Sequence, residues 1–66
     1  MNLVINGRSV DALPGASVLD ALRQAGYADR PMIVELNGEA VEHGLLNKTT
    51  VTGGDRLEVV QLVGGG

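Results

Sequence analysis

With 66 residues the chain has room for one small domain, and a domain of this size hides only roughly 60% of its unfolded surface. It has no cysteine and one histidine, His43, which excludes disulfides and thiolate metal sites and leaves too few ligands for a structural zinc ion. A net charge of −3 beside 44% hydrophobic residues argues against both a nucleic-acid binder and a disordered chain.

The core must be aliphatic, because Phe and Trp are absent and Tyr27 stands alone. Aromatic platforms for single-stranded nucleic acid are therefore missing too. The five cations, Arg8, Arg23, Arg30, Lys48 and Arg56, are scattered along the chain. No apolar run approaches the roughly 20 residues of a membrane span. The opening Met-Asn-Leu-Val-Ile-Asn-Gly lacks the basic start and apolar stretch of a secretory signal. A cytoplasmic location is expected.

Residues 2–6 alternate, with Leu3 and Ile5 on one face and Val4 on the other, which predicts a strand. Asn6-Gly7 is a strong hairpin signal, and Ser9-Val10-Asp11 returns as a second strand. Pro14-Gly15 ends that unit. Ser17 caps a helix of about nine residues, with Asp20 completing a variant capping box. Val18, Leu22 and Ala25 recur at helical spacing, Leu19 widens the stripe, and Gly26 stops the helix. A helix this short is marginal alone and needs a sheet to pack on.

Met32 to Leu36 predicts a strand with Met32, Val34 and Leu36 on one face. Asn37-Gly38 predicts a second tight turn, with Ala40-Val41 returning briefly. The segment 42–52 is ambiguous: a short helical turn at 43–47, then an extended piece at 49–52. Gly53-Gly54-Asp55 is a turn, and Arg56 to Leu62 is the last strand. The order is α+β, one helix lying across a mixed sheet of four or five strands. The last strand belongs beside the first, at the sheet centre. Domain limits of 1–62 are expected, with 63–66 as a flexible Gly-rich tail.

No catalytic set can be assembled. A Ser–His–carboxylate arrangement would rest on Ser9 or Ser17, both occupied by a hairpin and a helix cap. His43 reads as a solvated loop residue. Glu35, Glu39 and Glu42 read as a solvated turn, since a hard cation needs several convergent oxygens. Gly53-Gly54-Asp55 lacks the Lys-Ser/Thr of a phosphate loop.

The end of the chain is more informative. Leu57 and Val59 fill the core from one face of the last strand. Val60 and Leu62 lie on the other, together with Val4. That second set is either a partner surface or the second buried side of a central strand. Beyond it, Val63 and Gly64-Gly65-Gly66 form a segment whose backbone can enter a narrow cleft. Four or five extended residues reach about 15 Å, so the segment can carry the Gly66 carboxylate into another protein's active site.

Three segments carry a resemblance across the whole length: Val34-Glu35-Leu36-Asn37-Gly38-Glu39, Gly54-Asp55-Arg56-Leu57-Glu58-Val59-Val60, and Val63-Gly64-Gly65-Gly66. The chain resembles the ubiquitin-like β-grasp proteins, and among them the ThiS family of sulfur carriers. The resemblance implies a carrier, not an enzyme. An E1-like adenylating enzyme (ThiF) consumes ATP to adenylate Gly66. Sulfur from a donor such as a cysteine desulfurase then gives a C-terminal thiocarboxylate. Thiazole synthase (ThiG) takes that sulfur for the thiazole ring of thiamine. The carrier itself binds no cofactor and no metal. Val63, Gly64 and Gly65 enter the partner's active site, and Val60, Leu62 and Val4 form the docking patch. The Gly-Gly ending also suits carriers for molybdopterin or tRNA thiolation, and protein modifiers.

Overall fold

The computed structural model describes residues 1–27 and 30–62. Alternation of buried Leu3 and Ile5 with Asn2 and Val4 produces β1 (Asn2–Ile5), which turns back into β2 (Arg8–Asp11). Helix α1 (Val18–Gln24) follows, then β3 (Met32–Leu36) and β4 (Glu39–Val41), a 3₁₀ turn at His43–Leu45, and β5 (Arg56–Gln61). The strands form one sheet in the order β2-β1-β5-β3-β4. β1 and β5 run parallel at its centre, and the other neighbours are antiparallel. The last strand thus lies beside the first, as its apolar content requires.

Both hairpins use Asn-Gly. Asn6 and Gly7 have φ of 50° and 79°, and Asn37 and Gly38 have 51° and 87°. Positive φ at both central residues defines the turn whose twist matches that of paired strands. The two asparagines do more than turn the chain. Asn6 Oδ1 accepts from the Val59 N–H at 2.7 Å, and its Nδ2 donates to the Val59 carbonyl at 3.0 Å and to the Tyr27 hydroxyl at 2.9 Å. Asn37 Oδ1 accepts from the Arg56 N–H at 2.9 Å. Each hairpin therefore clamps β5 from its own side. The Asn6 amide extends the β1–β5 ladder one step past the end of β1.

Ser17 Oγ accepts from the Asp20 N–H at 3.0 Å, and the Asp20 carboxylate accepts from the Ser17 N–H at 3.1 Å. The expected capping box is present. At the other end Gly26 has φ of 92°. Its N–H donates to the Arg23 carbonyl at 3.0 Å, and the Tyr27 N–H donates to Leu22 at 2.9 Å. This paired closure is the Schellman arrangement. It ends α1 after seven residues, two short of the expected length.

The ambiguous segment 42–52 has a definite task. The carbonyls of Thr49 and Leu46 accept from the N–H groups of Val18 and Leu19, at 2.8 and 2.9 Å. These donors open the helix and have no partner within it. Val51 N–H donates in turn to Ala16 at 3.0 Å. The same segment sends Leu46 and Val51 into the core beside Leu3, Ile5, Val18, Leu22, Val34 and Leu57.

Asp55 ties the last turn together. Its carboxylate accepts from the Asn37 side chain at 3.0 Å, the Thr52 N–H at 2.7 Å and the Thr52 hydroxyl at 3.1 Å. The Asn37 bond, then those from Thr52, hold its pKa below the ordinary aspartate value of 3.8. A carboxylate with a depressed folded pKa contributes stability that is complete above its unfolded pKa. That contribution disappears as pH falls through the folded value. Asp20 is lowered in the same sense by its bonds with Ser17. Asp55→Asn is expected to lose stability at neutral pH and to show a shallower acid limb in urea unfolding at stepped pH. Acid limbs of equal slope in both proteins would contradict this role.

Candidate functional site

The chain leaves the sheet at the end of β5. Here the Leu62 N–H donates to the Pro31 carbonyl at 2.9 Å, which prolongs the β3–β5 ladder by one residue. The root of the C-terminal segment is thereby fixed at Leu62. Val63, Gly64, Gly65 and Gly66, expected to carry the chemistry, lie outside the described residues.

Two surfaces flank this root. The first is the sheet face turned away from α1. Val60 is 59% exposed there and pairs across the strands with Ile33, itself 54% exposed. The central strand is therefore not buried on both sides, and its outer residues are available to solvent. The expected grouping of Val4 with Val60 is not what the register provides. Val4 is half-buried and sits beside Arg56, four residues and about 13 Å along β5 from Val60. Ile33 takes its place in the apolar pair. The alternation that sends Met32, Val34 and Leu36 inward sends Ile33 outward, so the signal was present in the sequence.

Next along this face Glu35 stands directly opposite Glu58. Like charges in this position are destabilising by up to about 1 kcal/mol. The face is apolar at the root and acidic behind it.

The second surface is an open hollow of about 650 Å³ on the helix side. Leu19 and Arg23 of α1 form one wall, and Arg30, Met32, His43 and Leu62 form the others. Leu62 is 49% exposed and lies past the end of β5. It borders this hollow and does not continue the Val60 face alone. His43 is exposed, at the start of its 3₁₀ turn. Sequence reasoning set it aside as a loop residue and had no means of bringing it near Arg23 or Arg30.

Neither serine is placed for catalysis. Ser9 Oγ donates to Asn2 Oδ1, and Ser17 caps α1. Among the described residues no group of His, Asp or Glu side chains is arranged to hold a metal ion, and no helix is long and apolar enough to cross a membrane. What the geometry offers is the end of β5 at Leu62, set between two exposed surfaces.

The pattern that defines the ThiS family matches residues 3–66. The chain belongs to the ThiS family. The crystal structure of the thiamine biosynthesis protein (ThiS) from Geobacter metallireducens is 38% identical and superposes with a TM-score of 0.78, each chain covered in full. The solution structure of a thiamine biosynthesis protein from the same organism gives 38% identity and 0.76, covering all of this chain and 88% of that one. The mixed five-stranded sheet with one helix is the β-grasp fold shared with these ThiS-family structures. A thiazole synthase of Paramagnetospirillum magneticum is 36% identical over all 66 residues. The chain spans only 20% of that relative's length.

Proposed function

We propose that the chain is a sulfur carrier for the thiazole ring of thiamine. The observation that carries this reading is the match to the ThiS family along residues 3–66, which takes in Gly64-Gly65-Gly66. The fixed root at Leu62 supports it, because four extended residues beyond it reach about 13 Å. That is enough to carry a terminal group into an enzyme's cleft while the β-grasp body, residues 1–62, stays outside.

An adenylating enzyme joins the Gly66 carboxylate to AMP, turning an inert carboxylate into an acyl group with a good leaving group. A desulfurase persulfide, formed from cysteine, attacks the adenylate and expels AMP, and a thiol then reduces the acyl disulfide to free the thiocarboxylate. The resulting thiocarboxylate gives its sulfur to thiazole synthase. The carrier needs no catalytic side chain, and no cysteine on it competes for activation. Val63, Gly64 and Gly65 thread the cleft. The Val60 and Ile33 pair supplies the apolar contact by which the adenylating enzyme holds the body.

The test is complementation of a bacterium that lacks its own carrier. The full chain should restore growth without thiazole or thiamine, and a chain ending at Gly64 should not. Equal growth with both would remove the tail from the function. The docking role has its own test. Val60→Asp should weaken binding to the adenylating enzyme about tenfold while changing stability by about 1 kcal/mol. Unchanged affinity would show that this face is not the contact.

A further inference from the structure

Both hairpins turn on a dipeptide whose asparagine can react with its own backbone. Asn6-Gly7 and Asn37-Gly38 each set a carboxamide beside the N–H of a residue that has no Cβ to block an approach. The glycine nitrogen attacks the asparagine Cγ. The bond from Cγ to that nitrogen forms and the Cγ–Nδ2 bond breaks. The glycine proton leaves with the amide as ammonia. Water then opens the five-membered imide at one carbonyl or the other, giving aspartate or isoaspartate. Nothing is oxidised or reduced.

Access to the nitrogen does not separate the two turns. No atom lies within 4 Å of where a Cβ would stand on Gly7 or Gly38. Neither glycine N–H donates a hydrogen bond within the described residues. The two asparagines have nearly the same φ, 50° and 51°. Asn2 and Asn47 are followed by Leu3 and Lys48, whose side chains crowd the nitrogen.

The carboxamides are held differently, and each must swing free before its Cγ can meet the nitrogen. Asn6 makes three hydrogen bonds, two of them to part-buried backbone groups of Val59. Its release strands the Val59 N–H and carbonyl, which is costly for groups shielded from water. Asn37 makes two, to the Arg56 N–H at 2.9 Å and the Asp55 carboxylate at 3.0 Å, both exposed. Water replaces Asn37 at both partners as soon as it lets go.

We propose that Asn37 is a site of spontaneous deamidation, and that the Val59 clamp holds Asn6 back from the same reaction. The change falls on a joint of the fold. A carboxylate at position 37 faces the Asp55 carboxylate where a donor faced it before. Isoaspartate in addition lengthens the main chain of a two-residue turn, against the register that sets Leu36 opposite Glu39. Either product adds one negative charge to a chain whose net charge is −3.

The experiment follows the wild-type chain at mildly alkaline pH, folded in buffer and unfolded in urea. Trypsin cuts after Arg8 and Arg23, so Asn6 and Asn37 fall in separate peptides. Peptide masses report the amides lost, and an isoaspartyl methyltransferase used as a reagent labels isoaspartate. In the folded protein Asn37 should lose its amide about tenfold faster than Asn6. In urea the two should react at similar rates, since both precede glycine. Asn37→Gly, which keeps the turn free of strain and whose folding a melting curve checks, should remove most of the label from the folded protein. Equal or faster loss at Asn6 in the folded chain overturns the inference. So does an Asn37 amide that survives in the folded chain while the urea-unfolded chain reacts, or a label undiminished in Asn37→Gly. The wild-type comparison decides the matter without any variant.

Discussion

Replacing Asn6 by alanine is expected to destabilise the protein by about 4 kcal/mol and to lower its melting temperature by roughly 20 °C. Three hydrogen bonds depend on this one side chain, two to Val59 and one to the Tyr27 hydroxyl. Each is worth about 1 kcal/mol net, and the Val59 groups lose partners when it is removed. Alanine must also adopt φ of 50° at this position, which costs about 1 kcal/mol for a residue with a Cβ. Asn6→Gly separates the two effects. It keeps the turn free of strain and loses only the side chain, so it should lie between wild type and Asn6→Ala. A urea series on the three proteins measures both steps. An Asn6→Ala variant as stable as wild type would mean that the amide does not hold β5.

The second large effect concerns activation. Gly65→Val should leave the fold untouched, because position 65 follows β5, the last strand of the sheet, in the sequence. It should slow acyl-adenylate formation about a hundredfold or more, the scale on which a misplaced reacting group costs rate. A β-branched side chain cannot follow a bare backbone into a narrow cleft. ATP–pyrophosphate exchange by the adenylating enzyme gives the rate, and a urea midpoint gives the stability. Gly65→Ala should fall between the two. Normal exchange with Gly65→Val would mean that the cleft does not exclude side chains.

Local chemistry was readable from the sequence wherever it is written in adjacent residues. Asn6-Gly7 and Asn37-Gly38 announce their turns, Ser17 with Asp20 announces a cap, and Gly26 announces a stop. The alternation in Arg56 to Leu62 announces a strand. The place of the last strand beside the first was readable from its apolar content, but the long-range hydrogen-bond partners were not. Nothing in Thr49 or Leu46 says that their carbonyls will satisfy the first N–H groups of α1, because that pairing exists only after the chain has folded back. The Asn6 clamp on Val59 was hidden for the same reason, since its two ends are 53 residues apart.

The candidate site divides along the same line. Val60 was found from the periodicity of one strand. Ile33 was not, although the alternation from Met32 to Leu36 sends it outward; only its pairing with Val60 needed the register between strands. The hollow could not be seen at all, as it draws Arg23, Arg30, His43 and Leu62 from four separate parts of the chain. The Gly-rich ending needed no folding to be noticed, and its meaning came from the resemblance that surrounds it.

The most direct test of the central claim is the intact mass of the chain after incubation with an adenylating enzyme, ATP, a cysteine desulfurase and cysteine. The account predicts a gain equal to the replacement of one oxygen by sulfur, absent when Gly66 is deleted. An unchanged mass, with an adenylating enzyme shown to be active on its own carrier and matched to this chain, would contradict it.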